Sequence, residues 1–353
     1  MKRKPCRSFA IPVILLLVIT QTFLSGCIQT HPRAAPTIEA TNFPTQTATE
    51  TAEAPTLRPK VALAKIPDNC SLAALSPDIE WMVIHCFPGE IGKAGRIGSS
   101  ETVTLLNGDG AAMTFSPDSK KLLVVTREAI WLFNVGDWQN PKKLFSAGGV
   151  ATWAPDGQSI AISYIKEGYA LSILYLDGTV KNLLTETDVH KIIGPGNDFF
   201  GPAWSPDSKK IAYVSTDSWQ PQPVQIRTVE IATGKKELLY SGKPGEIGFN
   251  PVWSPDGNKI TLGTFLEESH PIYIYDIKEK TFTASGDFYF DYFRGWSPDS
   301  KYLAICDSKR LRVISTATNQ VIDVYDCDTF LGWKGNDHII IQQNSDLYSI
   351  PFP

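Results

Sequence analysis

From residue 61 onward the chain reads as short apolar runs, mostly alternating with polar residues and each broken by a cluster of turn formers. No segment keeps a 3.6-residue apolar period, so the pattern predicts strands. One junction recurs, in which a strand ends on a large apolar residue and meets a Pro-Asp pair. Its copies are Leu75-Ser76-Pro77-Asp78, Phe115-Ser116-Pro117-Asp118, Trp153-Ala154-Pro155-Asp156, Trp204-Ser205-Pro206-Asp207, Trp253-Ser254-Pro255-Asp256 and Trp296-Ser297-Pro298-Asp299. A degenerate seventh is Trp333-Lys334-Gly335-Asn336-Asp337. Proline pre-sets φ at the second position of a tight turn, and aspartate can bond the local backbone. A second strand follows each turn, as in Lys121–Thr126 or Ile260–Thr264. A third comes later (Ile130–Val135, Ile272–Ile277) and then a short fourth (Lys143–Phe145, Phe282–Ala284).

Four strands in roughly 42 residues, seven times over, predict an all-β β-propeller of seven four-stranded blades. The first unit is the weakest, because its third strand must lie in the Gly-rich stretch Phe87–Ser100. Six blades with an irregular cap is therefore the alternative. The last unit stops after three strands, and an orphan strand, Val61–Ile66, precedes the first. Pairing the two closes the ring through N- and C-terminal strands and leaves no blade incomplete. The motif tryptophans are expected in the core between blades.

These copies resemble the WD40-like repeat of TolB-type periplasmic propellers and of the gating propellers of prolyl-oligopeptidase-type peptidases, over nearly all of 61–353. The likeness implies a rigid ring. It does not carry peptidase activity: the chain has no Gly-x-Ser-x-Gly elbow, and no hydrolase domain is expected after the propeller. TolB-type proteins have an α/β domain ahead of the ring, where this chain has only a low-complexity segment. Their partner-binding role is thus a suggestion carried by no particular residue.

The first residues read as an address. Lys2, Arg3, Lys4 and Arg7 precede an apolar core, Ile11–Ile19, too short to span a bilayer. Leu24-Ser25-Gly26-Cys27 then resembles the lipobox of bacterial lipoproteins, which implies cleavage before Cys27 and lipidation of its thiol. The alternative is an uncleaved anchor from Ile11 to Ile28. Residues 28–60 are rich in Thr, Pro and Ala and cannot offset the entropy of ordering, so they read as a stalk. The expected organisation is a signal peptide (1–26), lipidated Cys27 with a tether (27–60) and a propeller (61–353). Localisation follows as extracytoplasmic and membrane-anchored, on the cell surface or the periplasmic side.

Charge narrows the partner. The chain carries a formal −4. The only charges in residues 1–27 are the four bases just named, and 28–60 is neutral, so the propeller is acidic. Nucleic acid is excluded as a partner. Past Cys6 and Cys27, four cysteines remain, which allow three connectivities. If Leu75 faces Trp81 across the first turn, that register also brings Cys70 opposite Cys86, and Cys306–Cys327 follows by elimination. Four free thiols is the alternative. The spacings fit no zinc site.

In a four-stranded meander the first-to-second and third-to-fourth turns share one face, and all longer connections share the other. The expected long loops are Phe87–Ser100, Thr185–Phe200, Thr216–Pro223, Ser241–Phe249, Leu266–His270 and Ser285–Tyr292. They hold aromatics and acids suited to a protein or glycan contact: Asp198, Phe199, Phe200, Trp219, Glu246, Glu267, Asp287, Phe288, Tyr289 and Asp291. The competing expectation is that several of the aromatics pack between blades. No Gly-rich phosphate loop or His-Glu-x-x-His occurs. His31, His85, His190, His270 and His338 are well apart, and Asp323-x-x-Asp326-x-Asp328 lacks an EF-hand pattern. No cofactor, metal site or catalytic residue is expected. The function expected is non-catalytic binding or scaffolding by a monomeric propeller that contacts an envelope or extracellular protein, or a glycan. The alternative is an extracytoplasmic enzyme acting on glycans or lactones through a metal or acidic site at the channel mouth. A sensory or assembly component is a third reading.

Overall fold

The computed structural model describes residues 59–87, 92–105, 112–163, 169–185, 202–216, 224–241, 251–262, 272–285, 294–307 and 310–352. Among these, 28 strands form seven four-stranded antiparallel sheets, and none of the described residues is helical. Blade I is β2 (Cys70–Leu75), β3 (Trp81–Cys86), β4 (Lys93–Arg96) and β5 (Thr102–Thr104). Blade II is β6 (Ala112–Phe115), β7 (Lys121–Val125), β8 (Ile130–Asn134) and β9 (Asp137–Phe145). Blade III is β10 (Val150–Trp153), β11 (Ser159–Ser163), β12 (Tyr169–Tyr175) and β13 (Val180–Thr185). Blade IV is β14 (Ala203–Trp204), β15 (Lys210–Thr216), β16 (Val224–Glu230) and β17 (Lys236–Ser241). Blade V is β18 (Val252–Trp253), β19 (Lys259–Leu262), β20 (Ile272–Asp276) and β21 (Thr281–Ser285). Blade VI is β22 (Arg294–Trp296), β23 (Tyr302–Asp307), β24 (Arg310–Ser315) and β25 (Val321–Asp326). Blade VII joins β26 (Thr329–Lys334), β27 (His338–Gln343) and β28 (Asp346–Pro351) to β1 (Val61–Lys65).

Closure is as expected, with Val61 opposite Ser349 and Lys65 opposite Asp346. Lys60 helps hold that strand: its Nζ sits 4.0 Å above the Tyr348 ring and donates to Gln343 Oε1. The third strand of blade I does lie in the Gly-rich stretch, as β4, so seven blades stand and the six-blade alternative falls. The stretch Phe87–Ser100 is therefore not one long loop, since its second half is strand and turn. The outer strand of blade II is longer than expected, because a turn at Gly136 (φ 91°) lets pairing begin at Asp137.

The first-turn register needs correction. Leu75 pairs with Met82, not Trp81. An irregularity between Leu72 and Ala74 shifts the ladder by one, so Cys70 still meets Cys86. Both disulfides form, Cys70–Cys86 and Cys306–Cys327.

The core sits between blades. Inward-facing strand residues such as Val83, Leu122, Ile160, Ile211, Ile260, Leu303 and Ile339 are fully buried. Each such cluster draws on neighbouring sheets, as where Trp204 packs with Ala161 and Ile173. Burial of that kind, at about 25 cal/mol per Å² of apolar surface, drives the ring together. Gly295 marks a close approach: the Phe330 ring of blade VII lies 2.6 Å from where a Cβ would stand.

Candidate functional site

The two faces of the ring differ in kind. On one face lie all the Ser-Pro-Asp turns and the third-to-fourth turns, which the strand order places together. In five of the turns the serine Oγ donates to the aspartate carboxylate at 2.5–2.7 Å. It also accepts the backbone N–H five residues on, at 2.9 Å. The serine hydroxyl holds the Asp118, Asp207 and Asp299 carboxyls below their ordinary pKa. At Asp256 burial pushes upward, but bonds from Ser254 and Asn258 outweigh it and the pKa is again lowered. The residue after each aspartate is left-handed: Ile79, Ser119, Gly157, Ser208, Gly257 and Ser300 have φ between 58° and 74°.

These turns also clasp one another, which the sequence reading did not foresee. The backbone N–H of Asp78 donates to Ser119 Oγ of the next blade at 3.1 Å. Asp156 does the same to Ser208 and Asp256 to Ser300, both at 3.0 Å, and Asp299 donates to Asn336 Oδ1 at 2.9 Å. A second set runs through the motif tryptophans, which are core residues as expected. The indole N–H of Trp153 donates to the Thr114 carbonyl of blade II, and Trp204 to Thr152 of blade III. Trp253 donates to Ala203, Trp296 to Val252 and Trp333 to Gly295, so each reaches the blade before its own, at 3.0–3.3 Å. Two lysines add outer ties: Lys142 to the Leu176 carbonyl, and Lys181 to Ile231 and Ala232. A tryptophan, rather than any apolar residue, at the motif position was the available signal.

The opposite face carries the longer connections. All ten expected contact residues, Asp198, Phe199, Phe200, Trp219, Glu246, Glu267, Asp287, Phe288, Tyr289 and Asp291, lie outside the described residues, as does Cys27. The described part of this face includes Phe87, which is exposed, and the connectors at Arg127–Glu128, Ser146–Gly149 and Asn344–Ser345. All four disulfide cysteines lie at this face, three at strand ends and Cys327 in the connector between β25 and β26.

Chain direction fixes where the polypeptide enters. β27 starts from the Trp333 turn, so β28 runs back toward the turn face, where the Phe352 N–H reaches the Asp337 carbonyl at 2.7 Å. Since β1 is antiparallel to β28, Val61 begins at the turn face and Lys65 ends at the loop face.

The seven innermost strands contain no aspartate or glutamate. Among the described residues no group of three His, Cys, Asp or Glu could hold a metal ion. Asp326 instead faces Arg310 at 3.3 Å, and Asp328 accepts the Asn344 N–H. His338 Nδ1 lies 3.1 Å from Asp337, and His85 is half-buried with Nε2 unpartnered, where desolvation lowers its pKa. No helix among the described residues is long and apolar enough to cross a membrane.

These features define a seven-bladed β-propeller built on a repeated Ser-Pro-Asp turn, the fold that the sequence likeness implied. No protein-family profile matches the chain. It is similar in fold to hydrazine synthase of Kuenenia stuttgartiensis, at 13% identity and TM-score 0.56 over 88% of this chain and 99% of that one. A puromycin hydrolase gives TM-score 0.53 at 15% identity, over 82% of this chain and 51% of that one. TolB of Acinetobacter baumannii gives TM-score 0.49 at 17% identity over 81% of this chain, which spans 65% of TolB. In sequence, 85 residues are 28% identical to DNA ligase B of Pseudomonas fluorescens (strain Pf0-1), covering 24% of this chain and 14% of that protein. Chains named as enzymes share the fold, so the fold alone does not decide between binding and catalysis.

Proposed function

We propose that this protein is a non-catalytic binding module of the cell envelope, tethered through lipidated Cys27 and the 28–60 stalk. It recognises a protein, or a glycan, through the long-loop face. The observation that carries the reading is the direction of β1. The chain enters the propeller at the turn face, so the junction with the preceding segment leaves the loop face unobstructed. The turn face is taken up by its own hydrogen bonds, whereas the loops bear Asp198, Phe199, Phe200, Trp219, Glu246, Glu267, Asp287, Phe288, Tyr289 and Asp291. Two disulfides favour an oxidising, extracytoplasmic compartment. A preformed ring also binds with little ordering cost.

The test is affinity purification of the full chain from solubilised envelope, beside a variant with Phe199, Phe200, Trp219 and Tyr289 changed to alanine. A partner enriched with the parent and lost with the variant supports the reading. A partner retained by the variant refutes the face. An absence of partner together with a stoichiometric divalent metal favours the glycan- or lactone-acting enzyme. Its carboxylates would have to come from loops, because the innermost strands supply none.

A further inference from the structure

The clasps are not evenly spread. Junctions III/IV, V/VI and VI/VII have both the indole bond and the Asp N–H bond. Junctions II/III and IV/V have the indole bond alone, and I/II has only the Asp78–Ser119 bond. Junction VII/I has neither and cannot have either. The motif residue of blade I is Leu75, without an N–H, and the left-handed position is Ile79, without a hydroxyl. Blade I is thus held at the centre by one clasp, and its outer strand, β5, is only three residues long. Blade VII, on the other side of this seam, is the one blade assembled from strands at both ends of the ring.

Both disulfides flank that blade. Cys70 opens β2, directly after the connector that leaves β1, and Cys86 fixes it to β3. Cys327 lies in the two-residue connector between β25 and β26, and Cys306 fixes it to β23 of blade VI. Each covalent connector of the closure blade is therefore pinned to the second strand of a neighbour. The two bonds differ in access: Cys306 and Cys327 are buried, whereas Cys70 and Cys86 are half-buried. Thiol–disulfide exchange needs access to a sulfur.

We propose that the VII/I seam is where this ring opens, and that Cys70–Cys86 is its reducible latch. A dithiol reductant passes two electrons and two protons to the Cys70 and Cys86 sulfurs, giving two thiols, and is itself oxidised to a disulfide. The S–S bond breaks, and the end of the β1–β2 connector is held there only by strand pairing and by the Phe87 N–H bond to the Asn69 carbonyl at 2.9 Å. Strands β1, β28 and β2 then open locally, while blades III to VI, held by three or four clasps each, stay closed.

The test uses the full chain titrated with dithiothreitol and read two ways. Alkylation mapping is expected to label Cys70 and Cys86 before Cys306 and Cys327. Amide hydrogen exchange is expected to lose about tenfold or more of its protection in β1, β2 and β28, with β11, β15 and β23 unchanged. A Leu75→Trp variant supplies the missing indole, aimed at the Gly332 carbonyl by analogy with the other blades, and is expected to restore protection in the reduced protein. Cys306 and Cys327 reacting first, exchange rising evenly across all blades, or exchange unchanged after full reduction of Cys70–Cys86 would each overturn the proposal. So would a Cys70→Ser/Cys86→Ser variant that fails to fold, since a latch is dispensable to the ring as a whole.

Discussion

Blade III carries a natural defect in the turn motif, and repairing it tests the account of the turns. Where five blades have serine, blade III has Ala154, fully buried. The backbone at this turn is otherwise the same: Ala154 N–H donates to the Ser159 carbonyl at 2.8 Å, and Gly157 N–H to the Ala154 carbonyl at 2.9 Å. Asp156 still accepts the Gln158 N–H, at 2.9 Å. What is missing is the hydroxyl that would accept the Ser159 N–H and donate to Asp156. Ala154→Ser adds one oxygen where Ser254 and Ser297 sit equally buried, so overpacking is not expected. One neutral hydrogen bond contributes about 1 kcal/mol net, and a bond to a largely exposed carboxylate adds less than its buried equivalent. The expected gain is about 1–2 kcal/mol.

The reverse change, Ser254→Ala, deletes the bonds to Asp256 and from the Lys259 N–H. It also leaves that N–H without its acceptor, so the expected loss is about 2–3 kcal/mol. Calorimetric unfolding of the oxidised protein reads both. In a domain this large each kcal/mol moves Tm by about 2–4 °C. The sites lie in different blades and share no partner, so the double variant is expected to show the sum to within about 0.5 kcal/mol. If Ala154→Ser leaves Tm unchanged or lowers it, the hydroxyl is not what stabilises the turn.

Three further outcomes are expected. Trp253→Phe keeps the ring and removes the N–H that reaches the Ala203 carbonyl, so it costs about 1–2 kcal/mol by denaturant unfolding, whereas Trp253→Leu costs more through lost packing. Ile79 is β-branched at φ 62°, and Ile79→Gly is expected to raise Tm because relief of left-handed strain, about 1–2 kcal/mol, exceeds the entropy glycine adds to the unfolded chain. Asp118, Asp207 and Asp299 have lowered pKa values, so their contribution is complete above the ordinary carboxylate pKa of about 4 and is lost as pH falls through the depressed values. Tm measured from pH 5 to pH 2 is therefore expected to fall, less steeply in a Ser116→Ala/Ser205→Ala/Ser297→Ala variant.

Blade count and closure were legible because both are local or arithmetical. Ser-Pro-Asp specifies its own turn, and a three-stranded last unit with an orphan first strand leaves one way to finish the ring. The Cys70–Cys86 pair was read correctly from an incorrect premise. Leu75 does not face Trp81, and the irregularity near Ala73 restores the pairing, a shift that no alternation of apolar residues announces. The clasps were not legible for a different reason. Ser119, Ser208 and Ser300 look like ordinary turn residues, and what they accept depends on the distance between blades, which packing sets. The candidate contact residues rest on composition alone, since the loops that carry them repeat no pattern and lie outside the described residues.

That contrast bears on where the ring can vary. The spacing between motif copies ranges from 37 to 51 residues, and the two widest intervals, 51 and 49, run from Trp153 to Trp204 and on to Trp253. The turns on the motif face are uniform, so the extra length falls on the loop face, where insertions cost little closure entropy. All ten candidate contact residues fall between β13 and β22, on the connections of blades III to VI. These are the blades bound to one another by both indole and turn clasps at III/IV and V/VI, and by the Trp253 bond at IV/V. The sector with the longest loops thus rests on a continuously clasped part of the ring, while the seam without clasps has short described connectors at Ile66–Asn69 and Asn344–Ser345. A contact surface made of loops gains its precision from the scaffold beneath it. The proposed contact over blades III to VI would therefore rest on clasped blades rather than on the seam.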